Sequence, residues 1–187
     1  MTGHRVAGLV LAAGEGRRFG RPKALVPGWL PDRVGALTGG GCSPVLVVLG
    51  AAAGDAERLL PPGAVAVAAE DWAEGMGASL RAGLDAVAAL DPPPDAVLVA
   101  LVDTPGLTAA AVRRVAAQTA PGALAQAAYA GRRGHPVLLG REHWDGVLAV
   151  AAGDRGARDY LAGREVTPVE CGDVADGRDV DTDPGTG

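Results

Sequence analysis

The sequence predicts an α/β protein of Rossmann-like, three-layer α/β/α build around a mostly parallel sheet. Three observations predict it. Short apolar runs recur through the first half of the chain and are unbroken rather than alternating, as expected of strands covered on both faces. Helix-like stretches lie between them, and such alternation places parallel strands side by side through right-handed crossovers. A glycine-rich turn follows the first run, at the carboxyl edge where open α/β sheets bind ligands.

The elements follow in order. "VAGLVL" (6–11) is the first strand, and a helix is expected over 30–38. "VLVVLG" (45–50) is the second strand, followed by a helix at 55–60 and a strand "AVAVAA" at 64–69. A longer helix spans 78–90; "DPPPD" (91–95) stops it and leads into the strand "AVLVALV" at 96–102. Thr108 stands as the N-cap of a helix over 108–119. The second half is less regular. Residues 122–140 read as two strand pieces about a turn at Gly131 to Gly134, and 153–163 as a loop capped by Asp154 before a short helix. "VTPVEC" (166–171) is a late strand, and the tail is acidic and rich in turns. No repeat or linker divides the chain, so one domain over residues 1–187 is expected.

Composition narrows the class. Apolar residues make up 48% but aromatics only 3%, so the core is built from small side chains. The net charge of −5 gives no global field for nucleic acid or an anionic membrane. Cys42 and Cys171 lie far apart and lack metal-ligand spacing; a disulfide between them has no support. No run is long enough to span a bilayer. The apolar start lacks a small-residue cleavage site, so a cytoplasmic protein is expected.

Against that acidic background the stretch "LVLAAGEGRRFGRPKAL" (Leu9 to Leu25) gathers Arg17, Arg18, Arg21 and Lys23, the chain's one lysine. Such a cluster after a strand calls for an anion. Glycines let backbone N–H groups approach it, Arg offers a forked pair of donors, and Lys a compact charge. A Walker-type loop fails: Arg21 and Pro22 follow Gly20, and neither Ser nor Thr follows Lys23. A dinucleotide fingerprint is weak: the spacing Gly14, Gly16, Gly20 is one residue too long, and the second strand ends without an acid. The nucleotidyltransferase pattern L-A-A-G-x-G-x-R-x-G-x-P-K-x-L fits Leu11 to Leu25 at every defined position.

With this loop the sequence resembles the molybdenum cofactor cytidylyltransferases and the wider MobA-like (MocA-like) NTP transferases. "EDWAEGMGASLRAGL" (70–84), "VLVALVDTPGLT" (97–108), "GRRGHPVLL" (131–139), "GDRGARDYL" (153–161) and "DVDTDP" (179–184) resemble further segments of that family, in its order. The resemblance implies a fold of the nucleotide-diphospho-sugar transferase type and transfer of a CMP group from CTP to a phosphorylated acceptor. Molybdopterin carrying molybdenum is the first candidate acceptor, with a sugar or alcohol phosphate, or GTP as donor, as alternatives. It also implies Mg²⁺ on Asp103 and Asp181, with Arg18, Lys23 and Asp103 catalytic. Leu11, Ala12, Ala13, Gly14 and Gly16 would lie against the nucleotide, Gly75 and Ser79 near base and ribose, and His135 and Asp154 nearer the acceptor. Ala13 matters to the donor, because relatives using GTP tend to carry glycine there.

Each residue also has a plainer reading. Asp103 fits a turn, Asp181 a solvated tail, His135 a local hydrogen bond, and Asp154 a helix cap. Ser79 fits structural packing at a helix start. Arg17 and Arg21 read as solvated neighbours, Trp72 and Met76 as packing. Arg132 and Arg133 either attract a phosphorylated acceptor or form a surface turn. The sequence also departs from the family pattern. "VPGWLPDRVGAL" is shortened, with Pro31 interrupting the helix start. Asp183 and Pro184 replace the usual P-E-D, and after Gly187 the family's closing helix is absent or cut off by truncation. These departures keep open a non-catalytic reading, a nucleotide- or pterin-binding chaperone for a molybdoenzyme.

Overall fold

A computed structural model describes residues 4–182. Asp183, Pro184 and Gly187, singled out above, lie outside the described residues. One sheet carries seven strands: β1 Val6–Leu11, β2 Val45–Leu49, β3 Ala64–Ala68, β4 Ala96–Leu101, β5 Leu124–Tyr129, β6 Arg132–Gly140 and β7 Thr167–Glu170. Their order is β3-β2-β1-β4-β6-β5-β7. Only β6 runs against its neighbours; the β1–β2, β1–β4, β2–β3 and β5–β7 pairs are parallel. The mostly parallel α/β/α architecture expected from the sequence is the one observed.

β1 shows why the strand runs are unbroken. Val6 and Val10 join a cluster with Leu30, Leu37 and Val112, whereas Ala7, Leu9 and Leu11 join another with Leu80, Leu84 and Val147. Successive side chains point to opposite faces, and both faces are covered. The covering helices are α1 Trp29–Gly39, α2 Ala53–Glu57, α3 Met76–Ala88, α4 Ala109–Ala116, α5 Trp144–Val150 and α6 Arg158–Ala162.

The differences from expectation have local causes. β3 is an edge strand, and Val65 is 45% exposed, so its apolar run is not covered on both faces. Pro31 does not disturb the helix start: α1 begins at Trp29, and Pro31 falls in the first turn, where N–H groups lack intrahelical partners anyway. Thr108 does cap α4, its Oγ1 accepting from the Ala111 N–H at 3.2 Å. The β5–β6 turn is tighter than read, with Ala130 and Gly131 both at positive φ. Asp154 caps no helix: it lies in a 3₁₀ turn, Gly153–Arg155, and α6 has Ala157 at its N-cap. Helix α5 was not anticipated; it is short, and its anchor is the buried Trp144, whose indole N–H donates to the Leu139 carbonyl at 3.0 Å. Cys42 and Cys171 are both buried and free.

Topology fixes where a ligand can sit. From β1 the chain builds outward to β2 and β3, then returns to lay β4 on the other side of β1. The crossovers leaving β1 and β4 therefore diverge, opening a crevice at the carboxyl ends of those two strands. The glycine loop leaves β1 there, and Asp103 follows β4 by two residues.

Candidate functional site

The loop after β1 is held by its own residues. Gly16 sits at φ +67°, and a Cβ there would collide with the Arg21 carbonyl, so glycine is required at that approach. Phe19 is 5% exposed and stacks at a tilt on Trp29, 5.6 Å between centroids. This apolar pin, which the sequence reading missed, bends the loop back so that Lys23 returns to the crevice. Lys23 opens a 3₁₀ turn, Lys23–Leu25, behind Pro22.

Lys23 Nζ lies 2.6 Å from Asp103 Oδ2 and 3.5 Å from Asp181 Oδ1. Arg18 reaches Asp181 Oδ2 at 4.0 Å. Thus four predicted residues from three distant segments converge. Asp181 is brought in by the backbone: the Val180 N–H donates to the Asp103 carbonyl at 2.9 Å. The other carboxylate oxygen, Asp103 Oδ1, is buried and accepts no hydrogen bond. Leaving a buried anionic oxygen unpaired is costly. An orphaned carboxylate oxygen beside a second carboxylate is the donor chemistry that suits a hard divalent cation completing its shell with water. The residues present therefore fit such an ion, although no set of three or more acidic, His or Cys ligands occurs among the described residues.

Two cavities lie beside this cluster and meet at Leu11, Met76, Leu101 and Asp154. A cleft of about 380 Å³ lies over the glycine loop, lined by Leu11, Ala12, Ala13, Gly14, Gly16, Lys23, Gly75, Ser79, Asp103 and Asp154 among others. Arg17, Trp72 and Met76 also line it, whereas Arg18 does not: it stands at the Asp181 side. Gly75 has φ +111° at the start of α3, where a Cβ would press on Asp154 and Gly153, and Ser79 is 5% exposed one turn later. A larger cavity of about 730 Å³ has apolar walls, including Leu80, Val99, Val137 and Leu139. His135, Arg132, Arg133 and Arg158 border it, and Asp154 borders both cavities. Burial pushes the His135 imidazole down to about 4, and the arginine Arg158 adds to the fall; Asp103 and Asp179 oppose it. The ring is therefore neutral at pH 7. Tyr129 donates its hydroxyl to the His135 carbonyl at 2.6 Å, which holds this corner of β6.

A cation-bearing glycine loop facing a carboxylate across the switch point of a parallel sheet defines a nucleotide-handling α/β protein. The model of the MobA-like NTP transferase domain matches residues 8–169, and the chain belongs to that family. It is 39% identical to nicotine blue oxidoreductase of Paenarthrobacter nicotinovorans, over 95% of this chain and 92% of that one. Among solved structures it resembles Rv0371c of Mycobacterium tuberculosis, with 28% identity, a TM-score of 0.80, and 97% and 95% of the two chains covered. A manganese complex of Rv0371c aligns at 25% identity and a TM-score of 0.74, over 90% and 89%. No helix among the described residues is long and apolar enough to cross a membrane.

Proposed function

We propose that the protein transfers a cytidylyl group from CTP to a phosphorylated acceptor and releases pyrophosphate, as a single domain working in the cytoplasm. The observation that carries this reading is the buried, unpartnered Oδ1 of Asp103 beside Lys23 and Asp181. Asp103 and Asp181 would hold Mg²⁺; that the similar protein Rv0371c forms a complex with manganese supports a divalent ion in this family. The ion, when bound, neutralises triphosphate charge as an acceptor oxygen attacks the α-phosphorus.

The chain's own residues do the rest. Lys23 and Arg18 draw the phosphates to the crevice and offset charge on the leaving pyrophosphate. The backbone from Leu11 to Gly16 lies against the nucleotide, and Gly75 and Ser79 face its base and ribose. Asp154, at the junction, and the neutral His135 orient the acceptor in the larger cavity. Molybdopterin carrying molybdenum is the acceptor we favour, with a molybdoenzyme as the downstream partner. Ala13 in "LAAG" favours CTP over GTP.

The test is pyrophosphate release with each of the four nucleoside triphosphates, Mg²⁺ and molybdopterin. CTP-dependent release in the wild type supports the reading. Tight CTP binding with no release under any acceptor leaves the non-catalytic carrier instead. A second reading rests on the relative named as an oxidoreductase, more similar in sequence at 39% than Rv0371c at 28%. Redox turnover of nicotine blue by the wild type with a supplied reductant, and no pyrophosphate release, would select it.

A further inference from the structure

Among the described residues Arg33 is the one charged side chain in the buried class, at 3% exposure. It stands on α1, away from the crevice. It donates through one terminal nitrogen to the Thr104 carbonyl and through the other to the Pro105 carbonyl, the latter at 3.2 Å. No carboxylate pairs with it among the described residues, and its Nε has no partner. Burial lowers its pKa, with the neighbouring Asp32 working weakly the other way. A guanidinium buried on carbonyls alone is an expensive way to fill a core, so its two contacts call for a reason.

Their position supplies one. Thr104 and Pro105 are the two residues after Asp103. The rest of that loop is tied to the site from other sides: the Val102 N–H donates to the Leu11 carbonyl, and Thr104 Oγ1 donates to the Leu101 carbonyl. The Asp103 carbonyl receives Val180, and the Gly106 carbonyl receives Asp176. Arg33 is thus the tie between α1 and the loop on which both carboxylates depend, Asp103 directly and Asp181 through Val180. A planar fork on two successive carbonyls fixes both the height and the rotation of that loop; a single donor fixes one.

We propose that Arg33 is a positioning residue that sets the affinity of the Asp103–Asp181 pair for its divalent ion; this rests on the metal reading given above. The experiment is titration of the purified protein with Mn²⁺, free ion being read from its paramagnetic resonance signal, for wild type, Arg33→Lys, Arg33→Gln and Asp103→Asn. Each variant is held below its own unfolding temperature. Arg33→Lys and Arg33→Gln weaken Mn²⁺ binding about 10-fold to 100-fold, the range found when groups supporting metal ligands are changed. In turnover the metal activation constant rises by a similar factor, while kcat at saturating Mn²⁺ returns close to wild type. Arg33→Lys, which keeps the charge and one donor, loses less than Arg33→Gln. A purely structural role lowers the active fraction and leaves the Mn²⁺ constant unmoved; that result in both folded variants overturns the proposal. Where neither folds, Arg33→Met, which keeps the length of the stem and removes the buried charge with both carbonyl contacts, is titrated in their place, and an unchanged Mn²⁺ constant there overturns it equally. If Asp103→Asn binds Mn²⁺ as wild type does, the metal reading itself falls, and Arg33 loses its role with it.

Discussion

The two cavities that meet at Asp154 are built on different principles. The cleft over the glycine loop is lined by backbone and by the matched pair Lys23 and Asp103, with Asp181 and Arg18 standing beside that pair outside the lining. Its walls come from the parallel half of the sheet, where β1 and β4 lie side by side. The larger cavity has apolar walls and a mixed border: Arg155 pairs with Asp159 and Arg178 with Asp176, whereas among the described residues the side chains of Arg132, Arg133 and Arg158 make no ion pair or hydrogen bond. Its walls come from the antiparallel half. The charges at the cleft are fixed in place before anything binds; the larger cavity keeps three of its arginines unmatched for whatever enters. On the function proposed above, the fold would keep the transfer step apart from the acceptor it acts on.

The hardest blow to this contrast falls on the cleft. Asp103→Asn should lower turnover by roughly 10²–10³-fold or more with a near-normal melting temperature, checked by pyrophosphate release and circular dichroism. Lys23→Met should cost a similar factor and also lower stability, since it leaves Asp103, only 16% exposed, without its cation. Equal turnover in Asp103→Asn and wild type would remove the cleft's claim to the chemistry. A lesser break is Gly16→Ala. It places a Cβ against the Arg21 carbonyl at positive φ and should destabilise the protein by about 1–3 kcal/mol while weakening CTP binding. Wild-type CTP affinity there would mean that the loop does not grip the nucleotide.

What was legible in the sequence divides along the same line. The elements from β1 through α4 and the crevice were readable because apolar runs, helical spacing, glycines and a lone lysine report on strands, helices and an anion-holding turn, although the apolar run of the edge strand β3 did not mean double cover. That Asp103, Lys23 and Asp181 converge was implied by family resemblance, and the geometry brings them within 4 Å of one another's partners. Other features were not readable. Phe19 is one aromatic among charges, and nothing local says that it turns inward onto Trp29. Arg33 looks like any helix-surface arginine until the DTP loop is folded onto it. Asp154 has the sequence of a cap, but the chain spends it on the junction of two cavities. Each depends on tertiary contacts that no window of sequence contains.

The antiparallel half has its own signature in pH. His135 titrates near 6.5 in an unfolded chain and at about 4 when folded. Between those values the unfolded state binds more protons, so stability rises with pH. Its contribution is full above about 6.5 and is lost as pH falls toward 4, up to about 3 kcal/mol from this one group. His135→Gln should flatten that part of the curve in denaturant melts between pH 7 and 4. An unchanged pH slope would mean that the ring is solvated, and that the larger cavity is more polar than its walls indicate.

The smallest effect sharpens the contrast most. Arg132 and Arg133 are exposed on β6 at the border of the larger cavity, and their side chains pair with nothing among the described residues. Removing them deprives no folded partner, so Arg132→Ala with Arg133→Ala should change the melting temperature little. If they meet an anionic acceptor, its KM should rise about 3-fold to 10-fold, with kcat and CTP affinity unchanged. The rise should shrink as salt is raised from about 20 mM to 300 mM, because exposed charges are screened. A loss of kcat, or of CTP binding, would show that the two cavities are not independent. An acceptor KM that does not move at low salt would show that these arginines form only a turn, and that the acceptor is chosen by Asp154, His135 and the apolar wall alone.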